Sequence, residues 1–361
     1  MRMEWKPRGL GTFQRHLLVW FRAHQRDLPW RRSRDAYRIW VAEVMLQQTR
    51  IAAVLPYYQR FLRRFPDVRS LARARQEEVL KLWSGLGYYS RARNLHRAAK
   101  EIVARRGGKF PRELEAALAL PGIGRYTAAA ILSIAYNEPL AVLDGNVARV
   151  LARLGAIRGE LRAPRRWQAL AATAQRLLPA GAPGDWNQAL MELGETICTP
   201  QSPRCAECPV ARWCLARARG LTGEIPAPRR KRASVKIKIA AAILRDPRGR
   251  TILVKDPGAH DGVLFSRMWQ FPAVEVEGEP ERELAAHLNS SLDVEPSSLE
   301  PLPAARHGVT WRNITLLPFL VRVARLPKRP RTRILPLARL GQLPVSSATR
   351  KIAAAAAGTS L

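Results

Sequence analysis

The chain has 361 residues, enough for two domains with separate cores, and its 61 Lys and Arg against 29 Asp and Glu leave a net charge of +32. That excess suits a polyanion, of which nucleic acid is the commonest for a soluble protein; the alternatives are an arginine-rich proteome or a membrane surface. No uncharged apolar run approaches membrane-spanning length, and the start MRMEWKPRGL lacks a signal-peptide core. A cytoplasmic protein is expected, nucleoid-associated if bacterial, with no membrane partner. All four cysteines lie between Cys198 and Cys214, which excludes a disulfide framework in favour of a ligand set.

Residues 1–224 read as a succession of helices. Phe13, Leu17, Trp20 and Phe21 follow the spacing of an amphipathic helix, as do Val147, Val150, Leu151 and Leu154. Short breakers separate the helices: Phe65-Pro66-Asp67, Gly107-Gly108, Leu120-Pro121-Gly122 and Asp144-Gly145-Asn146. Residues 225–234, IPAPRRKRAS, read as an extended, solvated linker. From Val235 the period becomes two: Val235, Ile237 and Ile239 alternate with Lys236 and Lys238, a DPRG turn leads into TILVK, and ITLLPFLVRV (314–323) offers another strand. The expected architecture is an all-helical region over 1–224, a strand-rich α/β domain over 235–352, and a disordered tail over 353–361.

Within the helical region, Glu43 is the only charged residue between Ile39 and Thr49. On a helix its carboxyl would be desolvated, which raises a carboxyl pKa and suits a general acid at neutral pH. A Glu at a helix edge paired with Arg38 is an equal alternative. The hairpin LPGIGRYTA (120–128) places Gly122, Gly124 and Arg125 before a helix start. Free backbone N–H groups there, unobstructed by side chains, suit one phosphate of a nucleic-acid backbone; an ordinary tight turn is the bland reading. Asp144 ends the apolar run PLAVL and opens GNVARVLARL, the position of an N-cap, where the helix terminus favours an ionised carboxylate. One protonated acid and one anion are what glycosidic-bond cleavage requires. The spacing Cys198-x6-Cys205-x2-Cys208-x5-Cys214 suits either a [4Fe–4S] cluster or a tetrahedral zinc.

Taken together, EVMLQQT, GLGYYSRARNL (85–95), LPGIGRYTA, VLDGNVARV and the four cysteines resemble the MutY-type adenine DNA glycosylases of the helix-hairpin-helix superfamily, in order from Leu28 to Cys214. The resemblance implies a [4Fe–4S] cluster on Cys198, Cys205, Cys208 and Cys214. It implies Glu43 as the acid that protonates adenine N7 and Asp144 as the carboxylate that stabilises the cationic sugar, with Tyr126 and Asn146 organising the site. Gln48, Leu86 and Tyr88 match the group that wedges the duplex. Lyase-competent relatives hold a lysine at the position of Tyr126, so base removal with little strand cleavage is expected.

The segment from Val235 resembles the Nudix-like C-terminal domain that reads 8-oxoguanine. Here ERELAAHLNSSL lacks a magnesium-binding Nudix box, and where the family carries Phe-Ser-His this chain has Val309-Thr310-Trp311, with Thr310 keeping the hydroxyl. The expected partner is double-stranded DNA with an A:8-oxoguanine or A:G mispair, bound by a monomer. Rival readings are a T/U:G mismatch glycosylase, a non-catalytic iron–sulfur DNA-binding protein and a Nudix-type hydrolase.

Overall fold

The computed structural model describes residues 5–227, 233–255, 268–309 and 311–357. Its contacts divide the chain into two units: Met1–Arg73 with Ser90–Arg230, and Ala74–Tyr89 with Lys231–Leu361. Helices α1 (Leu10–His24), α2 (Ala36–Leu46), α3 (Ile51–Arg64) and α4 (Val68–Arg73) open the first unit, and α5 (Gln76–Trp83) falls in the second. The first unit resumes with α6 (Ser90–Arg106), α7 (Leu114–Leu118), α8 (Arg125–Tyr136), α9 (Gly145–Leu154), α10 (Pro164–Arg176), α11 (Pro183–Thr196) and α12 (Leu215–Ala218). No described helix is long and apolar enough to cross a membrane.

The expected stripes form the first core. Phe13, Leu17 and Phe21 of α1 pack with Val147, Val150, Leu151 and Leu154 of α9 and with Trp186 and Leu190 of α11. Each such side chain contributes about 1.5–3 kcal/mol on burial. Two glycines let α11 approach its neighbours closely. A Cβ on Gly184 would lie 2.5 Å from the Ser133 carbonyl of α8, and one on Gly194 would lie 2.8 Å from Cβ of Asn146 on α9.

In the second unit, β1 (Val235–Arg245), β2 (Arg250–Lys255), β3 (Trp269–Gln270), β4 (Ala273–Glu275), β5 (Glu300–Pro301), β6 (Ala305–Val309), β7 (Arg312–Arg322) and β8 (Thr332–Pro336) form one mixed sheet. Strand β1 runs parallel to β7, from Val235 opposite Arg312 to Arg245 opposite Arg322. Its middle, Ala240–Leu244, is buried continuously, because helices cover both faces. One face packs on Leu284, Leu288 and Leu292 of α13 (Pro280–Leu292), the other on Ile352 and Ala356 of α14 (Ser347–Ala357).

Three sequence expectations change. The tail from 353 is not disordered as far as Ala357. Alanine is the strongest helix former, Ser346 Oγ accepts from the Thr349 N–H at 3.0 Å, and Ala348, Ile352 and Ala356 present one apolar face to the sheet. The linker does not begin as a solvated tether, since Ile225 is fully buried and its carbonyl accepts from Arg153 Nε at 2.7 Å; its basic run lies outside the described residues. The alternation in β1 fails at its first member, Val235, which is 46% exposed.

Candidate active site

The hairpin joins α7 to α8. Gly122 sits at φ +77, a conformation glycine adopts freely, and a Cβ there would meet the Asn94 side chain at 2.7 Å. Gly124 is the N-cap of α8 and gives that helix no side-chain cap, and Gly122, Gly124 and Arg125 are all exposed. An exposed, uncapped start of a 12-residue helix beside an arginine retains the features expected of a phosphate site.

One residue further, Tyr126 turns inward to a cavity of about 640 Å³ that also holds Glu43, Asp144, Asn146 and Gln48. Seven consecutive residues of α2, Ile39 to Met45, are buried, and all are apolar or aromatic except Glu43, which is 6% exposed. Burial pushes its carboxyl up to about 7, Asp144 adding to the rise while the Tyr126 hydrogen bond and Arg31 oppose it. Burial also holds the Tyr126 phenol protonated, well above its ordinary value, with Glu43 reinforcing that effect. The phenol is therefore a donor; Met191 Sδ lies 3.2 Å from its oxygen.

Asp144 departs from expectation. It caps α9, its Oδ1 accepting from the Val147 N–H at 2.7 Å. Burial nevertheless raises its carboxyl above the ordinary value, outweighing that bond, so the helix terminus does not dominate. Burial thus raises both carboxyls of the cavity, that of Glu43 to about 7. Asn146 follows in the first turn of α9, where its Oδ1 accepts from Arg149 Nη2 at 2.9 Å.

Sequence reasoning missed the charges behind this cavity. Arg26 binds Glu192 through two bonds of 2.7 Å and also reaches Glu195, and Arg31 adds a third bond to Glu192 at 2.7 Å. Burial alone would raise Glu192; the two guanidiniums overcome it and hold the carboxylate at about 2. The available signal was the i, i+3 pair Glu192 and Glu195 on α11 with two arginines flanking Leu28-Pro29-Trp30.

The remaining expected site residues differ in exposure. Gln48 is exposed at φ +60, just past the end of α2, whose last carbonyls are bonded by Arg91. Tyr88 is 37% exposed at φ +48, in the second unit. Leu86, expected beside it as part of the wedge, is instead 7% exposed. Thr310 lies outside the described residues.

The four cysteines are free of disulfides and line one small cavity with Val150, Leu154, Leu193, Ile197 and Val210. Arg153 Nη1 donates to Cys198 Sγ at 3.3 Å, and Arg149 Nε donates to the Cys198 carbonyl at 2.8 Å. Four thiols facing an apolar pocket, with a guanidinium to offset thiolate charge, fit an iron–sulfur cluster. Among the described residues no three His, Cys, Asp or Glu side chains gather as around one metal ion; sulfurs on the corners of a cubane stand farther apart than those on a single tetrahedral ion.

The "HhH-GPD superfamily base excision DNA repair protein" family matches residues 41–176, and "Iron-sulfur binding domain of endonuclease III" matches 198–214. The chain binds a [4Fe–4S] cluster through this second segment. An adenine DNA glycosylase of Mus musculus is 38% identical over 343 residues, 82% of this chain and 66% of that protein. One of Homo sapiens is 49% identical over 217 residues, 58% of this chain and 40% of the relative. The chain thus spans roughly two fifths to two thirds of the length of these relatives. Among solved structures, a thermostable thymine-DNA glycosylase aligns with a TM-score of 0.53 at 30% identity, covering 58% of this chain and 97% of that one. An endonuclease III–DNA covalent intermediate aligns at 0.51 and 21% identity over 60% of this chain and all of the other, a likeness of fold.

Proposed function

This chain belongs to the HhH-GPD superfamily of base excision DNA repair proteins, and from that premise we propose that it is a monofunctional adenine DNA glycosylase acting on adenine opposite 8-oxoguanine or guanine. The observation that carries the reading is a buried Glu43 with its carboxyl near 7, hydrogen-bonded to Tyr126 and sharing its cavity with Asp144.

Adenine inside a duplex is unreachable, so the nucleotide must leave the stack and enter the cavity, at a cost of a few kcal/mol. Glu43, protonated at neutral pH, donates to adenine N7 and turns a poor leaving group into a good one. Tyr126 donates a hydrogen bond that holds the carboxyl in place and stabilises the charge left on it once the proton has moved. As the C1′–N9 bond breaks, positive charge gathers on the sugar. In a desolvated site the Asp144 carboxylate attracts that charge strongly, so the burial that raises its pKa also strengthens its interaction with the cation. Water then adds to C1′, its proton leaving to solvent, and adenine departs carrying the proton from Glu43.

Tyr126 has no amine, so no Schiff base forms at its position. Cys198, Cys205, Cys208 and Cys214 would hold the iron–sulfur cluster, which would supply a cross-link that orders the loop between Cys198 and Cys214. The second unit keeps the Nudix-like sequence without its box, which supports lesion reading and not pyrophosphate hydrolysis.

Duplexes carrying A, T or U opposite 8-oxoguanine or guanine test the reading. Adenine release from both A mispairs is expected, abolished by Glu43→Gln, and borohydride should trap no stoichiometric adduct. Release of thymine from T:G, with adenine untouched, would transfer the chain to the activity named for its 30% identical structural relative.

A further inference from the structure

The segment Ala74–Tyr89 is fastened inside the second unit at three points. The Trp269 indole N–H donates to Glu77 Oε1 at 2.8 Å, and Arg333 pairs with the same oxygen at 3.5 Å while lying over the Trp269 ring. Ser84, 4% exposed, donates its hydroxyl to the Val345 carbonyl and accepts from Arg350 Nη2 at 2.9 Å; the same nitrogen reaches the Ser84 carbonyl at 3.3 Å. Tyr89 adds a bond from its phenol to the Val345 carbonyl at 3.4 Å. The receiving corner is itself well fixed. Val345 is fully buried and bridges to Trp269, and Ser346 caps the helix that carries Arg350.

In front of these anchors the chain makes a turn of unusual backbone. Gly85 lies at φ +104, Gly87 at φ +76 and Tyr88 at φ +48. A tyrosine holds a left-handed conformation only where its surroundings over-determine it, and such residues gather at functional positions. Tyr88 is also one of three large apolar residues exposed among the described residues. A strained, exposed aromatic sits directly ahead of a directional chain of hydrogen bonds running from Arg350 to Ser84 to Val345.

We propose that this clasp sets the orientation of the Ser84–Tyr89 turn, making Arg350 a positioning residue for Tyr88 as a wedge in the DNA duplex. The inference rests on the reading of Tyr88 as a duplex wedge. It assigns the C-terminal unit a part in opening the helix that is separate from reading the lesion: side chains more than 250 positions away in sequence decide where the wedge points. A guanidinium with two acceptors on one residue fixes both the backbone and the rotor of Ser84, which a single-donor or apolar side chain does not.

The test uses the full-length holoprotein and a duplex with 2-aminopurine next to an A:8-oxoguanine mispair, whose fluorescence rises when the step unstacks. Tyr88→Ala should lose most of the rise. Arg350→Met should lower it at least threefold with an unchanged melting temperature, Arg350→Lys should recover about half, and Arg350→Met combined with Tyr88→Ala should be no worse than Tyr88→Ala alone. A folded Arg350→Met protein with the parental rise, or effects of the two substitutions that multiply, would overturn the proposal. If Arg350→Met does not fold, Ser84→Ala takes its place with the same expectations. A full fluorescence response without adenine release would count against adenine excision, while loss of that response in Arg350→Met would still support the clasp.

Discussion

The Glu43 carboxyl holds its proton to about pH 7, whereas a free one releases it near 4.5. Folding therefore takes up a proton between those values, so the contribution of Glu43 to stability is present below the lower value and lost as pH rises through the upper one. Glu43→Gln should match the parent in urea midpoint at pH 4.5 and exceed it at pH 8, by up to about 3 kcal/mol from the size of the shift. Equal midpoints at pH 8 would mean that the carboxyl is not raised. In the proposed mechanism activity follows the same proton, so adenine release should fall as pH climbs above about 7. Because the Tyr126 bond lowers the carboxyl against burial, Tyr126→Phe should move that limb to higher pH, measured as single-turnover rate against pH. This residue was legible in the sequence because a lone charge in an otherwise uncharged eleven-residue stretch admits few environments. The direction at Asp144 was not, since a cap position is local while burial is set by distant helices.

At the scale of elements, the close crossing of α9 and α11 decides where Asn146 lies. Gly194→Ala places a methyl 2.8 Å from Asn146 Cβ and 3.2 Å from its carbonyl, so α9 must shift at the turn that also carries Asp144. A loss of about 1–3 kcal/mol in unfolding free energy is expected, with a fall in single-turnover rate larger than the fall in DNA affinity. An unchanged rate would show that the crossing does not position the site. The hairpin, the cap of α9 and the alternation at Ile237 could be read from sequence because each is a pattern within about ten residues. The end of α14 from 353 is not legible locally because an alanine run is low in complexity yet intrinsically helical, and its partner strands lie far away in the chain. Arg26, Arg31, Glu192 and Glu195 escaped for the same reason: the bonds join residues about 160 positions apart.

At the scale of the whole molecule, the grouping of Ala74–Tyr89 with Lys231–Leu361 shows where local pattern stops informing. Nothing in SGLGYY (84–89) announces hydrogen bonds to Val345 and Arg350. Net charge, by contrast, belongs to the composition alone, and +32 acts over the entire surface. Its consequence is separable from catalysis. Phosphate contacts release counterions, so six to ten of them would cost about 10³–10⁵ in affinity between 50 and 200 mM salt. In the proposed reaction the chemistry proceeds at a desolvated carboxyl pair, where screening by mobile ions is weak. Raising salt should therefore weaken DNA binding steeply while leaving the single-turnover rate of adenine release on saturating DNA within about twofold. A steep loss in that rate at saturation would instead mean that bulk ions reach the cavity, and that the environment assigned to Glu43 is too wet to keep its proton at neutral pH.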